Sequence, residues 1–594
     1  MDTKRLLLAV ILSVGLLFVW TRYFAPQEGE PSKSARKYRR KKGRGPKAGR
    51  GRRGKGSGPG GTRKVRKVSA VKLGPEVVTR VEGRLYRAEF SSYGGVLKSF
   101  VLLDPQYRER VTGSKTVRQV NLVRAVMAEN LPLKVQFPQS GIMLAEPQQW
   151  ELVVDKKGVW SSGQVHPDAD GSWHFGYRWR DAAGRVEIIK AFTLRPNESY
   201  AGDMVVELRN LGEERLKERL RVVVASMDFG EKGRSIFRPV SLRRKAVCRV
   251  NGDVKERSYG LITGTESRSG CGAGCSSCSC QRTPAKTNVF AGKISWGGID
   301  EKYFLLAVAP VGFKDAAQCR FSGRKTKRGG LIRTELNFPE VVIPPKGRFV
   351  HRFVIFGGPK QVSSLAAADP VDAKSKSQVS LHFVDSVDFG ILGFLGKPMV
   401  WLMRWFYGFL GNWGLSIILV TILIKLATIY WTTKSMRSMK EMQRLKPQMD
   451  ALKEKYGDDK VRYQQEVAAL MKRHKVNPLG GCLPMLLQMP IYIAWYQALM
   501  ASVELYRAPL FGWIDDLTAP DPYFVLPLIM GAAMFVQQRM TPAAADNPQA
   551  KMMSYMMPIM FTGFMLFLPS GLTLYILVNV ILSMIHQWYL NHAS

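Results

Sequence analysis

The sequence predicts a polytopic α-helical membrane protein with six transmembrane helices, five of them in a compact core, and an extracytoplasmic all-β sandwich domain. Three observations support this prediction. Nearly all long apolar runs lie between residues 389 and 590, while residues 71–360 consist of short strand-like segments. The loop 434–475 holds twelve Lys or Arg against six Asp or Glu, and the loop 504–522 holds four acids against one Arg. The positive-inside rule therefore places the first loop in the cytoplasm and the second outside.

The N-terminal segment 1–24 is predicted to be an uncleaved signal anchor. Lys4 and Arg5 precede fifteen uncharged residues, and no small-residue cleavage site follows Trp20. A cleaved signal peptide stays an alternative. The next segment, 25–70, is rich in Gly, Pro, Lys and Arg and has little to bury, so we expect a disordered linker that favours anionic lipid headgroups. Nucleic acid is not required as a partner.

Residues 71–360 alternate short apolar strands with turn signals, which is typical of a β-sandwich. The clearest strands are five segments that end in a Gly-, Pro- or Asn-containing turn or in a charged stretch. They are 85–90, 186–194, 204–208, 221–225 and 352–356. Isolated histidines and scattered carboxylates form no catalytic pattern, so we predict a scaffold or binding module that is not an enzyme and needs no cofactor.

Four cysteines lie close together in the segment CGAGCSSCSC, between Cys248 and Cys319. Their spacing makes them weak candidates for a metal site, because paired zinc ligands normally stand further apart. Disulfides are an equal alternative in an oxidising compartment. The four are Cys271, Cys275, Cys278 and Cys280.

After a linker at 361–388, residues 389–410 are predicted to form an amphipathic helix in the membrane interface, with aromatic residues at repeating helical positions. The core then spans 411–590. Its transmembrane helices are predicted at about 412–431, 483–503, 523–540, 552–568 and 570–590, and a cytoplasmic helical hairpin at 434–476. With the signal anchor this makes six spans, which places both termini in the cytoplasm and residues 71–360 outside.

Lys425 is the charged residue within the predicted span 412–431. A charge at that depth costs about 2.5 to 3.5 kcal/mol on insertion scales, so a functional role is the first interpretation. The flexible lysine stem could also snorkel to the interface, which stays open. In the cytoplasmic hairpin a methionine stripe recurs at helical spacing, which suits either internal packing or contact with varied partners. Its members are Met436, Met439, Met442 and Met449.

Several segments resemble one family closely. They are NPLGGCLPMLLQMPIY (477–492), SVELYRAPL (502–510), DPYFVLP (521–527) and FLPSGLTLY (567–575), with looser agreement at YGG (93–95) and WGGIDEKYFLLAVAP (296–310). These segments are similar to the YidC membrane insertases of Gram-negative bacteria, relatives of the Oxa and Alb proteins. The resemblance runs through residues 387–590 and excludes residues 30–70 and the cysteine cluster.

The resemblance implies an inner-membrane insertase and chaperone that receives nascent membrane proteins in a hydrophilic groove, alone or with the Sec translocon. It also implies ribosome contact through the hairpin. The family usually has Arg where this chain has Lys425, so the charge is kept and the bidentate fork is lost. The other expected groove residues are Thr421, Gln488, Phe564 and Tyr575. The second tyrosine that often follows Tyr575 is Ile576 here. A solute transporter or channel, and a membrane-anchored carbohydrate-active domain, stay as alternatives.

Overall fold

A computed structural model describes most of the chain from residue 74 onward. The described residues are 74–110, 117–124, 130–139, 148–156, 159–228, 244–264, 288–313, 315–327, 329–369, 380–456, 459–474, 483–540 and 548–592. The predicted signal anchor, the basic linker and the four clustered cysteines lie outside these residues.

The first half of the described chain is a β domain of antiparallel strands. A ten-stranded sheet has the order β14-β13-β16-β17-β20-β11-β10-β9-β7-β8, and a five-stranded sheet has the order β15-β18-β19-β12-β6. A three-stranded sheet, β1-β2-β3, and the ribbon β4-β5 complete it. The strands are β1 Val78–Glu82, β2 Tyr86–Ser91, β3 Val96–Leu102, β4 Arg108–Arg110, β5 Val117–Gln119, β6 Lys134–Gln136, β7 Glu151–Lys156, β8 Val159–Ser162, β9 Trp173–Arg180, β10 Val186–Leu194, β11 Ala201–Asn210, β12 Leu216–Asp228, β13 Lys245–Val250, β14 Asp253–Ser258, β15 Val289–Gly292, β16 Ile294–Glu301, β17 Phe304–Val311, β18 Ala317–Thr326, β19 Gly329–Ile343 and β20 Arg348–Pro359.

The β domain is a sandwich because strand residues alternate between its apolar interior and its surface. In β11 the side chains alternate between half-buried and buried along most of the strand, as expected where successive side chains point to opposite faces. Aromatic rings fill the interior, with the ring of Phe90 5.2 Å from that of Phe175 and 4.6 Å from that of Phe192. The predicted all-β outer domain is therefore present.

Two cysteines join the sheets. Cys248 on β13 of the large sheet forms a disulfide with Cys319 on β18 of the five-stranded sheet, and both residues are fully buried. This bond is consistent with an oxidising compartment for the β domain. Within the described ranges no three potential metal-ligating side chains cluster, and the four cysteines of the weak metal prediction lie outside those ranges.

The rest of the described chain is mainly helical. Two further short helices lie in the β domain and its linker. The helices are α1 Tyr259–Thr263, α2 Val362–Ala366, α3 Gly393–Leu410, α4 Trp413–Arg444, α5 Lys446–Tyr456, α6 Lys460–Arg473, α7 Leu483–Ala501, α8 Val525–Met540, α9 Pro548–Met565 and α10 Ser570–His592. In the described part of the chain, two helical segments are long and apolar enough to cross a membrane, Trp413–Ser438 and Ser570–His592.

The helix that carries Lys425 is longer than the predicted span. The sequence predicts a span that ends at Trp431 and a separate hairpin that begins at Lys434, but α4 runs unbroken from Trp413 to Arg444. No Gly or Pro interrupts the segment after Trp431, and the Thr432 and Thr433 hydroxyls bond to backbone carbonyls of the preceding turn. The change from apolar to polar residues marks the end of the apolar segment and does not end the helix.

The helical core is closely packed around α10. Helices α8, α4 and α7 contact it, and its segment from Ser570 to Leu577 is buried throughout. Gly531 on α8 allows close approach of α9, because a Cβ at that position would clash with Thr562. Helix α3 packs on α4 and α7, while four large aromatic residues on it stay exposed. They are Phe394, Trp401, Trp405 and Phe409.

A lysine lies inside the β sandwich. Lys190 on β10 is fully buried, and its ammonium donates hydrogen bonds to the carbonyls of Gly95 and Leu133. Gly94 and Gly95 have φ of +88° and +56°, which favours glycine, and their turn brings the Gly95 carbonyl to the lysine. Burial, together with the nearby charge of Lys134, lowers the pKa of Lys190 to about 7.

This lysine predicts a pH-dependent stability of the β domain. Because the folded pKa of about 7 lies below the ordinary 10.5, the unfolded chain binds more protons between these values. Stability should therefore rise from pH 7 toward pH 10, by up to about 1.4 kcal/mol per pH unit. Hydrogen exchange of the β10 amides in the full-length protein, corrected for intrinsic rates, measures this. Lys190→Met should remove the increase, and an equal pH slope in both proteins would contradict the prediction.

Candidate functional site

Lys425 lies between two helices of the core, where a serine holds it. Its side chain is 8% exposed, and its Nζ donates a hydrogen bond to Ser583 Oγ on α10 at 2.6 Å. The Ser583 hydroxyl in turn donates to the carbonyl of Asn579, one turn earlier, at 2.7 Å. The lysine is thus directed toward the interior of the core in this structure, which differs from the snorkelling alternative.

The hydrogen bonds that begin at Lys425 continue to a third helix. Asn579 Nδ2 donates to the hydroxyl of Tyr492 on α7 at 2.8 Å. Lys425, Ser583, Asn579 and Tyr492 therefore connect α4, α10 and α7 inside an apolar core, through two side-chain hydrogen bonds and the backbone carbonyl of Asn579. We call these four residues the polar chain. Buried polar groups are costly unless they are hydrogen-bonded, and each of these has a partner.

The charge of Lys425 is not neutralised by an ion pair among the described residues. The ammonium has three N–H groups, and Ser583 occupies one. The remaining donors are available to an acceptor that enters the core. In this low-dielectric setting an unneutralised cation attracts an anion more strongly than it would in water.

The other predicted groove residues occupy different environments. Thr421 is one turn before Lys425 and 1% exposed, and its hydroxyl donates to the carbonyl of Ile417. Tyr575 is fully buried, stacked on Trp495 at 4.9 Å between ring centroids, and Gln488 lies beside its hydroxyl. Phe564 is on α9, which packs on α8, and is 42% exposed. Lys425 and Thr421 share a helix face, while Tyr575 belongs to the ring packing between α10 and α7.

A loop that the sequence predicts to lie outside the membrane covers one end of the core. We call residues 502–524 the outer loop. The turn that begins α10 is attached to it, because the backbone N–H groups of Ser570 and Gly571 donate to the carbonyls of Ala519 and Leu517 at 2.7 and 2.9 Å. The Asp521 carboxylate accepts hydrogen bonds from the Leu526 backbone at the start of α8 and from the indole of Trp513.

The outer loop also contacts the β domain. Gln106 Nε2 donates to the carbonyls of Glu504 and Tyr506 at 2.8 and 2.9 Å, and the Tyr506 hydroxyl donates to the carbonyl of Arg108 at 2.7 Å. Burial raises the pKa of Tyr506 to about 12, so the hydroxyl remains a donor at neutral pH. The ring of Tyr506 lies 5.1 Å from that of Tyr303. Glu504 forms an ion pair with Arg404 on α3.

The predicted cytoplasmic hairpin is packed through its own apolar residues. Leu445 and Val467 are buried, and Asp459 caps α6 by accepting hydrogen bonds from the Val461 and Arg462 backbone. Met436 and Met449 are half-buried. The side chains of Met439 and Met442 lie outside the part of the structure that is described.

Sequence reasoning did not identify the partners of Lys425. Asn579, Ser583 and His586 recur at spacings of four and three residues within an otherwise apolar helix. Such residues lie on one helix face, and this pattern was the available signal. It does not reveal which helix that face contacts, and the structure shows that it is α4, where Lys425 meets Ser583 and Thr433 meets His586.

Comparison with known proteins identifies the two parts of the chain separately. A family model described as the YidC periplasmic domain matches residues 78–402, and one described as the 60 kDa inner membrane protein matches residues 405–594. The membrane protein insertase YidC of Syntrophus aciditrophicus is 34% identical over 520 residues, which covers 86% of this chain and 85% of that protein. The same-named protein of Anaeromyxobacter dehalogenans is 33% identical over 592 residues, covering 99% of this chain and 96% of that protein.

A solved structure described as an active YidC insertase with its first transmembrane domain resolved is 18% identical, with a TM-score of 0.37. It covers 87% of this chain, and this chain covers 93% of it. The two family matches define an inner-membrane protein with a periplasmic β domain followed by a helical region. The chain belongs to the YidC family of membrane protein insertases.

Proposed function

We propose that this protein inserts nascent membrane proteins into the inner membrane and assists their folding. The names of its relatives support insertion, and one observation in the structure supports the mechanism. Lys425 lies inside an apolar helical core, held by a serine hydroxyl rather than by a carboxylate. A cation held in this way is available to attract the acidic or polar flank of an entering chain.

The proposed topology has six spans with both termini in the cytoplasm. Helices α4, α7, α8, α9 and α10 are the five core spans, and residues 1–24 are the sixth. Lys425 is twelve residues from the start of α4, or about 18 Å at the helical rise of about 1.5 Å, which corresponds to the inner half of the membrane in this orientation. The outer loop would close the core on the periplasmic side.

The mechanism is physical and involves no bond formation. A polar, positively charged groove lowers the cost of moving a short hydrophilic tail away from water, which otherwise opposes its transfer. The new transmembrane segment then leaves sideways, because burial of its apolar surface in lipid is favourable. Thr421, Gln488, Phe564 and Tyr575 are the further residues that we assign to the groove.

Three partners are proposed in addition to the nascent chain. The Sec translocon would assist with larger substrates. The ribosome would contact the hairpin through Met436, Met439, Met442 and Met449. Phospholipid would cover α3, whose exposed aromatic residues are suited to the membrane interface.

The family membership does not favour the two alternative functions. A transporter or channel would be supported if depletion of the protein abolished uptake of a solute while a small single-span protein inserted normally. A carbohydrate-active β domain would be supported if deletion of residues 75–355 removed an activity on sugars and left insertion intact. We expect neither result.

A cysteine crosslink tests the proposed groove. Thr421→Cys is a suitable variant, because the cysteine is small enough for the 1% exposed site. It is made in a Cys482→Ser background to remove the native cysteine that precedes Leu483 in the sequence. A stalled nascent chain with a cysteine in its hydrophilic tail should form a disulfide with Cys at position 421 under mild oxidation, detected by gel mobility.

Leu423→Cys is the matched control, since Leu423 is two residues away on the opposite side of α4 and 40% exposed. We expect it to crosslink much more weakly to the tail. Equal crosslinking from both positions, or insertion without any crosslink at position 421, would contradict a groove at this face of α4.

A further inference from the structure

His586 lies close to Lys425 and is held in one tautomer. It follows Ser583 by three residues on α10, and its Nε2 is 3.0 Å from Thr433 Oγ1 on α4. The Thr433 hydroxyl donates its one hydrogen to the carbonyl of Ile429 at 2.7 Å. Thr433 must therefore accept, and His586 Nε2 must donate.

The second ring nitrogen has no partner among the described residues. With the hydrogen on Nε2, the neutral ring presents a lone pair at Nδ1, and this atom is buried without a hydrogen-bond partner in the described structure. A buried, unsatisfied polar atom is costly, so an unpartnered nitrogen beside an unneutralised cation indicates a place for a ligand.

The surroundings of His586 are positive rather than negative. Helix α8, which packs on α10, carries Arg539 as its one charged residue, and α7 carries none. On α4, the charged residues nearest in sequence to Thr433 are Lys434 and Arg437, and Lys425 lies about two turns earlier. A carboxylate brought by another chain would therefore supply the charge that these helices lack.

We propose that Lys425 and His586 form a two-point carboxylate site for the acidic residues of an entering segment, with Ser583 and Thr433 as positioning residues. This proposal rests on the proposed groove. A carboxylic acid that enters the site transfers its proton to Nδ1, and the carboxylate formed accepts one hydrogen bond from Nδ1–H and one from the Lys425 ammonium. No other reactant is needed.

Two donors on different helices solve a geometric problem. An ammonium is a point charge, whereas bidentate recognition of a carboxylate needs two N–H groups directed at its two oxygens. The Ser583 hydrogen bond fixes Lys425, and the Thr433 hydrogen bond fixes the ring of His586. Binding of one carboxylate by both side chains would thus depend on the distance between α4 and α10.

The test uses the full-length protein in liposomes and a single-span substrate with two versions of its translocated tail. One tail carries two Asp residues and the other carries two Asn residues. His586→Gln, which can still donate to Thr433 but cannot become cationic, should lower insertion of the Asp tail by at least about tenfold, as loss of one charge-assisted hydrogen bond predicts. Insertion of the Asn tail should stay unchanged, and His586→Lys should restore the Asp tail.

His592→Gln is the matched control, because His592 lies on the same helix but is exposed; it should insert both tails normally. Equal insertion of the Asp tail by His586→Gln and the unaltered protein would overturn the two-point site. Equal loss of both tails would overturn it as well, because that result shows a structural role. If Lys425→Ala impairs insertion of the Asp tail and His586→Gln does not, the result supports the groove and contradicts the proposed role of His586.

Discussion

Lys425→Glu should lower insertion of substrates with acidic tails by at least about tenfold, since reversal turns an attraction of ~4 kcal/mol at ~4 Å into a repulsion of similar size, for an effective dielectric of about 20. The glutamate also loses the hydrogen bond that Nζ donates to Ser583. Insertion kinetics in liposomes that contain the full-length variant measure the effect, with acidic and neutral tails compared on the same substrate.

Two variants control this result. Lys425→Arg keeps the charge and should retain insertion of both kinds of tail. Lys425→Ala removes the charge without reversing it and should give an intermediate loss for acidic tails. If Lys425→Ala inserts every acidic substrate at the normal rate, the lysine is a snorkelling residue that does not act on substrates.

Glu301→Ala should destabilise the β domain by about 3 to 5 kcal/mol, because it leaves a buried guanidinium without its counter-charge. Arg244 is 3% exposed, and its Nη2 donates to Glu301 Oε2 at 2.8 Å. After the substitution, Ser226 and the Leu122 carbonyl would be its remaining hydrogen-bond partners among the described residues. Thermal unfolding and protease resistance of the full-length protein measure the loss.

The matched control is Glu82→Ala, which removes an exposed ion pair with Arg87. Exposed pairs contribute about 0 to 1 kcal/mol, so this variant should unfold at nearly the same temperature as the unaltered protein. The double variant Arg244→Met with Glu301→Leu should recover much of the loss, because a buried pair can often be replaced by apolar side chains. A Glu301→Ala protein as stable as the Glu82→Ala protein would contradict the prediction.

Local pattern predicted the β domain well. The strand at 186–194 was predicted with the bounds that β10 has, because its apolar residues are bounded by the turn signals at Gly184 and Pro196. The pairing of the strands within each sheet could not be predicted from the local pattern. β20 lies between β17 and β11 in the large sheet, and an order that joins such distant segments depends on the packing of whole sheets.

For the candidate site, too, the local sequence pattern predicted the key residue but not its tertiary contacts. A lone cation in an apolar run identified Lys425, since burial of charge is costly wherever it occurs. Its partner Ser583 is 158 residues away along the chain, and a serine in an apolar helix is common enough to carry little signal by itself. The unbroken helix beyond Trp431 was missed because hydropathy marks where water begins, whereas helix ends depend on caps and helix-breaking residues.

Because α4 is continuous, Lys425 and the end of the helix at Arg444 belong to one stiff element. Its 32 residues extend about 48 Å, compared with a hydrocarbon core of about 30 Å, so about a third of the rod projects past the apolar layer. Since a helix resists bending where no Gly or Pro interrupts it, a tilt imposed at the Arg444 end is transmitted to Lys425. Force applied to the hairpin would thereby set the distance between the lysine and α10.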